Sequence, residues 1–355
     1  MTPPRTPRAL PVPDSQDANL QAIDLQFEQA GLVRNLPGDA PTPFCKRWDR
    51  AQPEGLTRPA HTPTVAANGA HWLAVAGWEK FPWLWHGFST RKGGVSRAYC
   101  ADNAPGELNL GFTDADSRDA VAANRRLLAE AVTGSSATPM IAIRQIHSNL
   151  VVRATAADQF RERPWKADGH IADEPGLLLG VQTADCIPVL VADRKRRAVG
   201  AFHAGWRGTV KRIVESGVGR MRLEFGSRPE DMVAAIGPGI GPCCYAIGDE
   251  VLSSFESQFA YADELFREIY DTDEVRAKYP MLFLTQRAPG HAASGLALHV
   301  DLVEANRRQL LDAGLKPRSI QVVNGCTSCQ PDLFFSHRAS KGHAGRMLSV
   351  IGIRP

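Results

Sequence analysis

The chain has 355 residues, with 41 Lys and Arg against 38 Asp and Glu and a formal net charge of +3 at pH 7. Apolar residues make up 43% and charged residues 22%, the balance of a globular protein with material for a sizeable core. The basic residues are scattered, which excludes the concentrated cationic footprint of a nucleic-acid binder, and no stretch approaches the ~20 consecutive apolar residues of a membrane helix.

The N-terminus carries Pro3, Pro4, Pro7, Pro11 and Pro13 in place of an apolar signal core, so a cytoplasmic location is expected. The seven cysteines form no evenly spaced framework, which fits free or metal-bound thiols in a reducing compartment. Prolines recur to Pro63, and before it only Ser15 to Val33 has helical spacing, through Leu20, Ile23, Leu25 and Phe27. Residues 1–71 therefore read as a partly ordered, Pro-rich extension. Its expected role is to bind an unidentified partner, not to catalyse. Residues 72–355 read as the catalytic domain.

Within that domain, Asp116 to Val132 has the pattern of a capped helix beginning at Asp116 or Ser117. Short apolar runs follow at Met140–Ile143, Leu150–Val152, Leu177–Val181, Ile187–Ala192 and Ala198–Phe202, each bounded by turn residues and too short for helices. Gly208–Phe225 and Val300–Ala313 have helical stripes. Asp231–Ile236, Ile320–Val323 and Leu348–Ile353 complete the strands. Strands in the middle with helices on either side predict a layered α/β sandwich with a mixed sheet.

The stretch from Ala167 to Gly208 carries the most chemistry. Cys186, in Thr183-Ala184-Asp185-Cys186, stands at one strand boundary. His203, in His203-Ala204-Gly205-Trp206-Arg207-Gly208, ends the neighbouring strand. Paired strands lie about 4.8 Å apart, within reach of a shared metal or a thiolate–imidazole pair. His147, in Arg144-Gln145-Ile146-His147, can complete a His₂Cys set with an open fourth position, the composition of a catalytic zinc site. Arg207 adds a planar cation. Arg91-Lys92-Gly93-Gly94 is a second candidate for holding an anion, and Asp185 is placed to orient a neighbouring ligand. Two cysteine motifs point less clearly to chemistry. The adjacent Cys243 and Cys244 read as packing. Cys326-Thr327-Ser328-Cys329 suggests a zinc knuckle but has no second pair in sequence and no thioredoxin-like context.

The ordered set TRKGGVS, RQIH, ADGHI, TADCIPV, HAGWRG, GPGIGPCCY, CT and FFSHR, spread over Trp85 to Ile353, resembles the YfiH family, also described as a polyphenol oxidase, laccase-domain or peptidoglycan editing factor family. The resemblance implies a single α/β/β/α sandwich related to the catalytic domain of cytotoxic necrotizing factors. It implies a zinc site at His147, Cys186 and His203, and substrates that are purine nucleosides and phosphate, with phosphorolysis of inosine, adenosine, guanosine or 5′-methylthioadenosine and deamination of adenosine. Arg91, Arg207 and Asp185 are then the expected substrate-binding residues. Copper is the less favoured metal, because the chain has no His-x-His pair of the kind copper oxidases use. A Cys186-dependent amidase acting on peptidoglycan precursors is the main alternative, and copper-dependent polyphenol oxidation a further one. Against the family pattern stand Ser148 after His147, His170 in place of a small residue, Ala246 where glutamate is common, and a long segment from Phe255 to His291.

Overall fold

The computed structural model describes residues 62–101, 103–270 and 296–355. The helix expected at Ser15–Val33 and part of the long segment after Phe255 lie outside them.

Two six-stranded sheets form the body. The first contains β1 (Thr64–Val65), β2 (His71–Leu73), β3 (Leu84–Ser89), β16 (Met347–Ile353), β8 (Leu178–Thr183) and β5 (Met140–Ala142), in that spatial order. The second runs β15 (Ile320–Val322), β11 (Met232–Ile236), β9 (Ile187–Asp193), β10 (Ala198–Ala204), β7 (Gly169–Ala172) and β6 (Val151–Arg153). Both are mixed: β5–β8, β6–β7 and β11–β15 are parallel and the other pairs antiparallel. A short strand β4 (Lys92–Ser96) follows β3. A third, antiparallel sheet joins β12 (Ala246–Ile247), β14 (Leu296–Val300) and β13 (Phe266–Tyr270). The helices are α1 (Arg118–Thr133), α2 (Trp206–Val210), α3 (Ile213–Phe225), α4 (Asp249–Glu256) and α5 (Leu302–Asp312).

The side-chain alternation of the central strands explains the layering. Along β9, Leu190 and Ala192 enter a core shared with Phe88, Leu179, Val181 and Ile351 of the first sheet. Ile187, Val189 and Val191 point the other way, towards Val214, Val218 and Met221 of α3 and Leu310 of α5. On β16, Leu348 and Val350 meet Leu128 of α1. Each central strand is thus buried on both faces, which is why its sequence is almost uniformly apolar. The result is helix, sheet, sheet, helix, the layering that the resemblance to the YfiH family implies.

The helix boundaries follow local chemistry. Ser117 caps α1 by accepting the Ala120 N–H, and Gly134 ends it in a left-handed conformation. Asp301 caps α5 through the Glu304 N–H. The continuous helix expected over Gly208–Phe225 is instead broken in two at Arg212, a non-glycine residue with φ of +62°. Side chains stabilise the break. Arg212 binds Glu215 and the Gln258 carbonyl, Asn149 donates to the Lys211 carbonyl, and Gln309 donates to the Thr209 carbonyl.

Candidate metal centre

Antiparallel pairing of β9 and β10 sets Ala204 against Ile187 and His203 against Pro188. Cys186, one residue before β9, therefore lies beside the end of β10, as strand spacing predicts. His147 comes from the loop after β5, and its Nε2 is 4.0 Å from the Cys186 sulfur. The ligand atoms of His147, Cys186 and His203 lie within 4.8 Å of one another. A tetrahedral ion with ~2.0–2.3 Å bonds holds its donors roughly 3.3–3.8 Å apart, so three donors at this spacing need only a small contraction. His203 forms the buried floor, Cys186 is half-buried and His147 is exposed, leaving one side open.

One buried carboxylate organises the group. Asp168, fully buried just before β7, accepts from His203 Nδ1 at 2.9 Å, leaving Nε2 as that ring's remaining ligand atom. The same carboxylate accepts the N–H groups of His147 at 2.9 Å and Ser148 at 2.6 Å, together with the Ser148 hydroxyl at 2.7 Å. This collar holds His147 at φ +56°, a conformation a non-glycine residue keeps only when its surroundings impose it. Asp185 is also left-handed, at φ +96°. Its carboxylate accepts from Thr327 Oγ1 at 2.6 Å and the Arg338 N–H at 2.7 Å, and its carbonyl accepts the Ile240 N–H. Gly205 allows the closest approach: a Cβ there would sit 2.9 Å from the Cys186 sulfur and 3.0 Å from His147 Cδ2.

Burial disfavours charge on these groups, and their mutual contacts overcome it. Burial would raise Asp168, but the bonds from His203 and Ser148 hold it at about 2. Burial would raise the Cys186 thiol, but the His203 charge and the contact with His147 bring it to about 6. Burial would lower His203, but Cys186 and Asp168 raise it to about 9. Without metal, the arrangement is a thiolate facing an imidazolium backed by a carboxylate, and a metal ion would displace the His203 proton.

The three further residues singled out from sequence sit differently. Arg207 is exposed and stacks on Trp206 at 4.4 Å, its guanidinium making no hydrogen bond or ion pair among the described residues. It lies within electrostatic reach of Tyr245, as do Cys186 and Arg338. Arg91 is occupied inside the fold: it pairs with Glu107 at 2.5 Å, donates to the Pro331 carbonyl at 2.7 Å and stacks on Phe335. Asp185 is occupied by Thr327 and Arg338, as described above.

Residues 85–354 match a family described as multi-copper polyphenol oxidoreductase laccase. This chain belongs to that family, the YfiH family. Its relatives include the purine nucleoside phosphorylase YlmD of Geobacillus stearothermophilus, 36% identical over 278 residues that span 76% of this chain and 89% of the relative. The purine nucleoside phosphorylase YfiH of Shigella flexneri is 32% identical over 265 residues, 74% of this chain and 91% of the relative. The crystal structure of the hypothetical protein YfiH of Bacillus licheniformis superimposes with a TM-score of 0.66 at 30% identity, covering 82% of this chain and 99% of that one. The YfiH architecture is thus shared across nearly the full length of a solved relative.

Sequence reasoning missed Asp168, Tyr245 and Arg338 as parts of this centre. Asp168 lies inside the ADGHI motif, and an acidic residue directly before a buried strand is a recoverable signal. Tyr245 and Arg338 lie in GPGIGPCCY and FFSHR, and nothing in their local sequence reveals that they converge near Cys186.

Proposed function

We propose that this YfiH-family chain is a zinc-dependent purine nucleoside phosphorylase with adenosine deaminase activity, carried by residues 72–355 with residues 1–71 as an accessory extension. The observation that carries the reading is the open-sided His147–Cys186–His203 set, fixed by Asp168 and flanked by the exposed cation Arg207. The names of the relatives supply the substrate class.

Zinc fits the donor set, and when bound it supplies a Lewis acid and an acidified water. His147, Cys186 and His203 hold it, and the open side admits substrate. In phosphorolysis a phosphate oxygen bonds to the anomeric carbon as the bond to the purine nitrogen breaks. The electron pair leaves with the base, which takes up a proton. Arg207 binds the phosphate oxygens. Tyr245, kept protonated because burial pushes its phenol upward, offers a hydroxyl to the nucleoside. Arg91 and Asp185 serve as positioning residues through the loops they hold.

Incubation of zinc-loaded protein with inosine and phosphate is expected to give hypoxanthine and ribose 1-phosphate, and adenosine is expected to give inosine as well as adenine. No hypoxanthine from inosine would sink the reading. A second reading rests on Cys186 as a thiolate nucleophile, His203 as the imidazolium that holds its proton for the leaving amine, and Asp168 as the carboxylate that orients the ring, for amide hydrolysis of peptidoglycan precursors. It predicts activity that survives chelators, whereas the zinc reading predicts loss.

A further inference from the structure

A second group of soft ligands is gathered in the described residues, apart from the His147–Cys186–His203 centre. Cys243, Cys244, Cys326 and Cys329 have sulfurs that all lie within 4.8 Å of one another. Cys244 is 3.2 Å and Cys243 3.5 Å from the Cys329 sulfur. From sequence alone Cys326–Cys329 is a knuckle without a second pair. The fold supplies that pair from the Gly237–Tyr245 loop.

Two tight turns face each other here, and backbone bonds hold them in register. Gly239 and Cys326 form a parallel bridge, the Gly239 N–H donates to the Gly325 carbonyl, and the Thr327 N–H donates to the Gly239 carbonyl. The Gly241 N–H donates to the Cys326 sulfur at 3.3 Å, the kind of outer bond that orients metal-bound thiolates. A Cβ at Gly241 would lie 3.2 Å from the Cys243 sulfur and 3.4 Å from the Cys326 sulfur, so the sulfurs fill the space above bare backbone.

We propose that in the reduced chain these four cysteines hold a structural zinc ion, separate from the His147–Cys186–His203 centre. Tetrahedral zinc with ~2.3 Å bonds to sulfur sets its ligands about 3.8 Å apart, wider than the 3.2 and 3.5 Å contacts of Cys329 and inside the 4.8 Å that encloses all four sulfurs. Cys329 is disulfide-bonded in the structure, so the ion belongs to the reduced state. A dithiol reductant breaks that S–S bond, passing two electrons and two protons to its sulfurs and becoming a disulfide itself. Zinc then replaces the thiol protons, which go to solvent. Thr327, inside the knuckle, donates to Asp185, the residue before Cys186. The ion therefore clamps the loops that hold the other centre's thiol, and oxidation releases the clamp.

The test is metal content by mass spectrometry on full-length protein, stripped with EDTA and reloaded with Zn²⁺ in the presence of a reductant. Wild type is expected to hold about two ions per chain, and Cys186→Ala, Cys244→Ser and Cys326→Ser about one each. In reduced Cys186→Ala, Co²⁺ is expected to show the absorption of a tetrahedral all-thiolate site, and this arm leaves all four cysteines intact. A single ion in reduced wild type, eliminated by Cys186→Ala, would overturn the proposal. So would a Cys186→Ala chain without the cobalt–thiolate spectrum. Neither result bears on whether inosine is cleaved.

Discussion

Asp168 binds His203 twice: its carboxylate accepts from the ring Nδ1 at 2.9 Å, and its carbonyl accepts the His203 N–H at 2.7 Å. Because the same carboxylate also collects the His147 and Ser148 N–H groups, one side chain aims two of the three metal donors. Asp168→Asn keeps the size but replaces one acceptor oxygen with a donor. Zinc affinity, measured by competition with a chromophoric chelator, is expected to fall about 10–100-fold, the usual loss when an outer-shell partner is removed. Unchanged affinity would show that the collar does not orient the ligands.

Gly205 lies at φ −69°, where any residue is comfortable, so its requirement comes from crowding. Gly205→Ala would push a methyl group into the Cys186 sulfur and the His147 ring. Loss of zinc binding is expected with far-UV circular dichroism preserved. Full metal content in this variant would contradict the geometry.

Arg207 and Arg91 should separate cleanly. Arg207→Ala is expected to raise the KM for phosphate several-fold while leaving the melting temperature near wild type, since its guanidinium has no ion-pair partner among the described residues. Arg91→Ala strands Glu107 and frees the Pro331 carbonyl, at a cost of about 1–3 kcal/mol. Chemical denaturation would then show lower stability. The opposite pattern, with stability lost at Arg207 and phosphate KM at Arg91, would reverse the assignment.

Acid should destabilise this protein through a buried histidine. His170 is fully buried with neither ring nitrogen hydrogen-bonded, and burial holds it down at about 3. The unfolded chain binds this proton below about pH 6.5 and the native chain does not. Stability is therefore fully present above that pH and falls as pH drops towards 3, by up to about 1.4 kcal/mol per pH unit. Asp168 adds a second loss with the same sign but at lower pH, between its ordinary value and about 2. His170→Leu should flatten the decline between pH 6.5 and 4 in denaturation curves. An unchanged slope would mean that His170 is not the proton acceptor.

The strands most legible in sequence were those buried on both faces. Ile187–Asp193 announces itself as a run apolar up to its last residue, and Met347–Ile353 as one with Ser349 its single polar side chain. Leu84–Ser89 did not, because His86, Gly87 and Ser89 interrupt the pattern although every residue of the strand is buried. Gly169–Ala172 is hidden for a similar reason, with His170 at its centre. The three ligands were legible because two flank paired strands and the third belongs to a recognised motif. The Asp168 collar and the four-cysteine cluster were not, since each depends on contacts between segments distant along the chain. The break at Arg212 was invisible because its stabilising partners come from Gln258 and Gln309.

In the first sheet, β16 lies between β3 and β8, although it is synthesised long after both. As the ribosome emits the chain, β3 and β8 must wait with open edges until their shared neighbour arrives. Such non-local closure slows folding and exposes sticky backbone in the interval. Nascent protein should therefore lean on chaperones until β16 is in place.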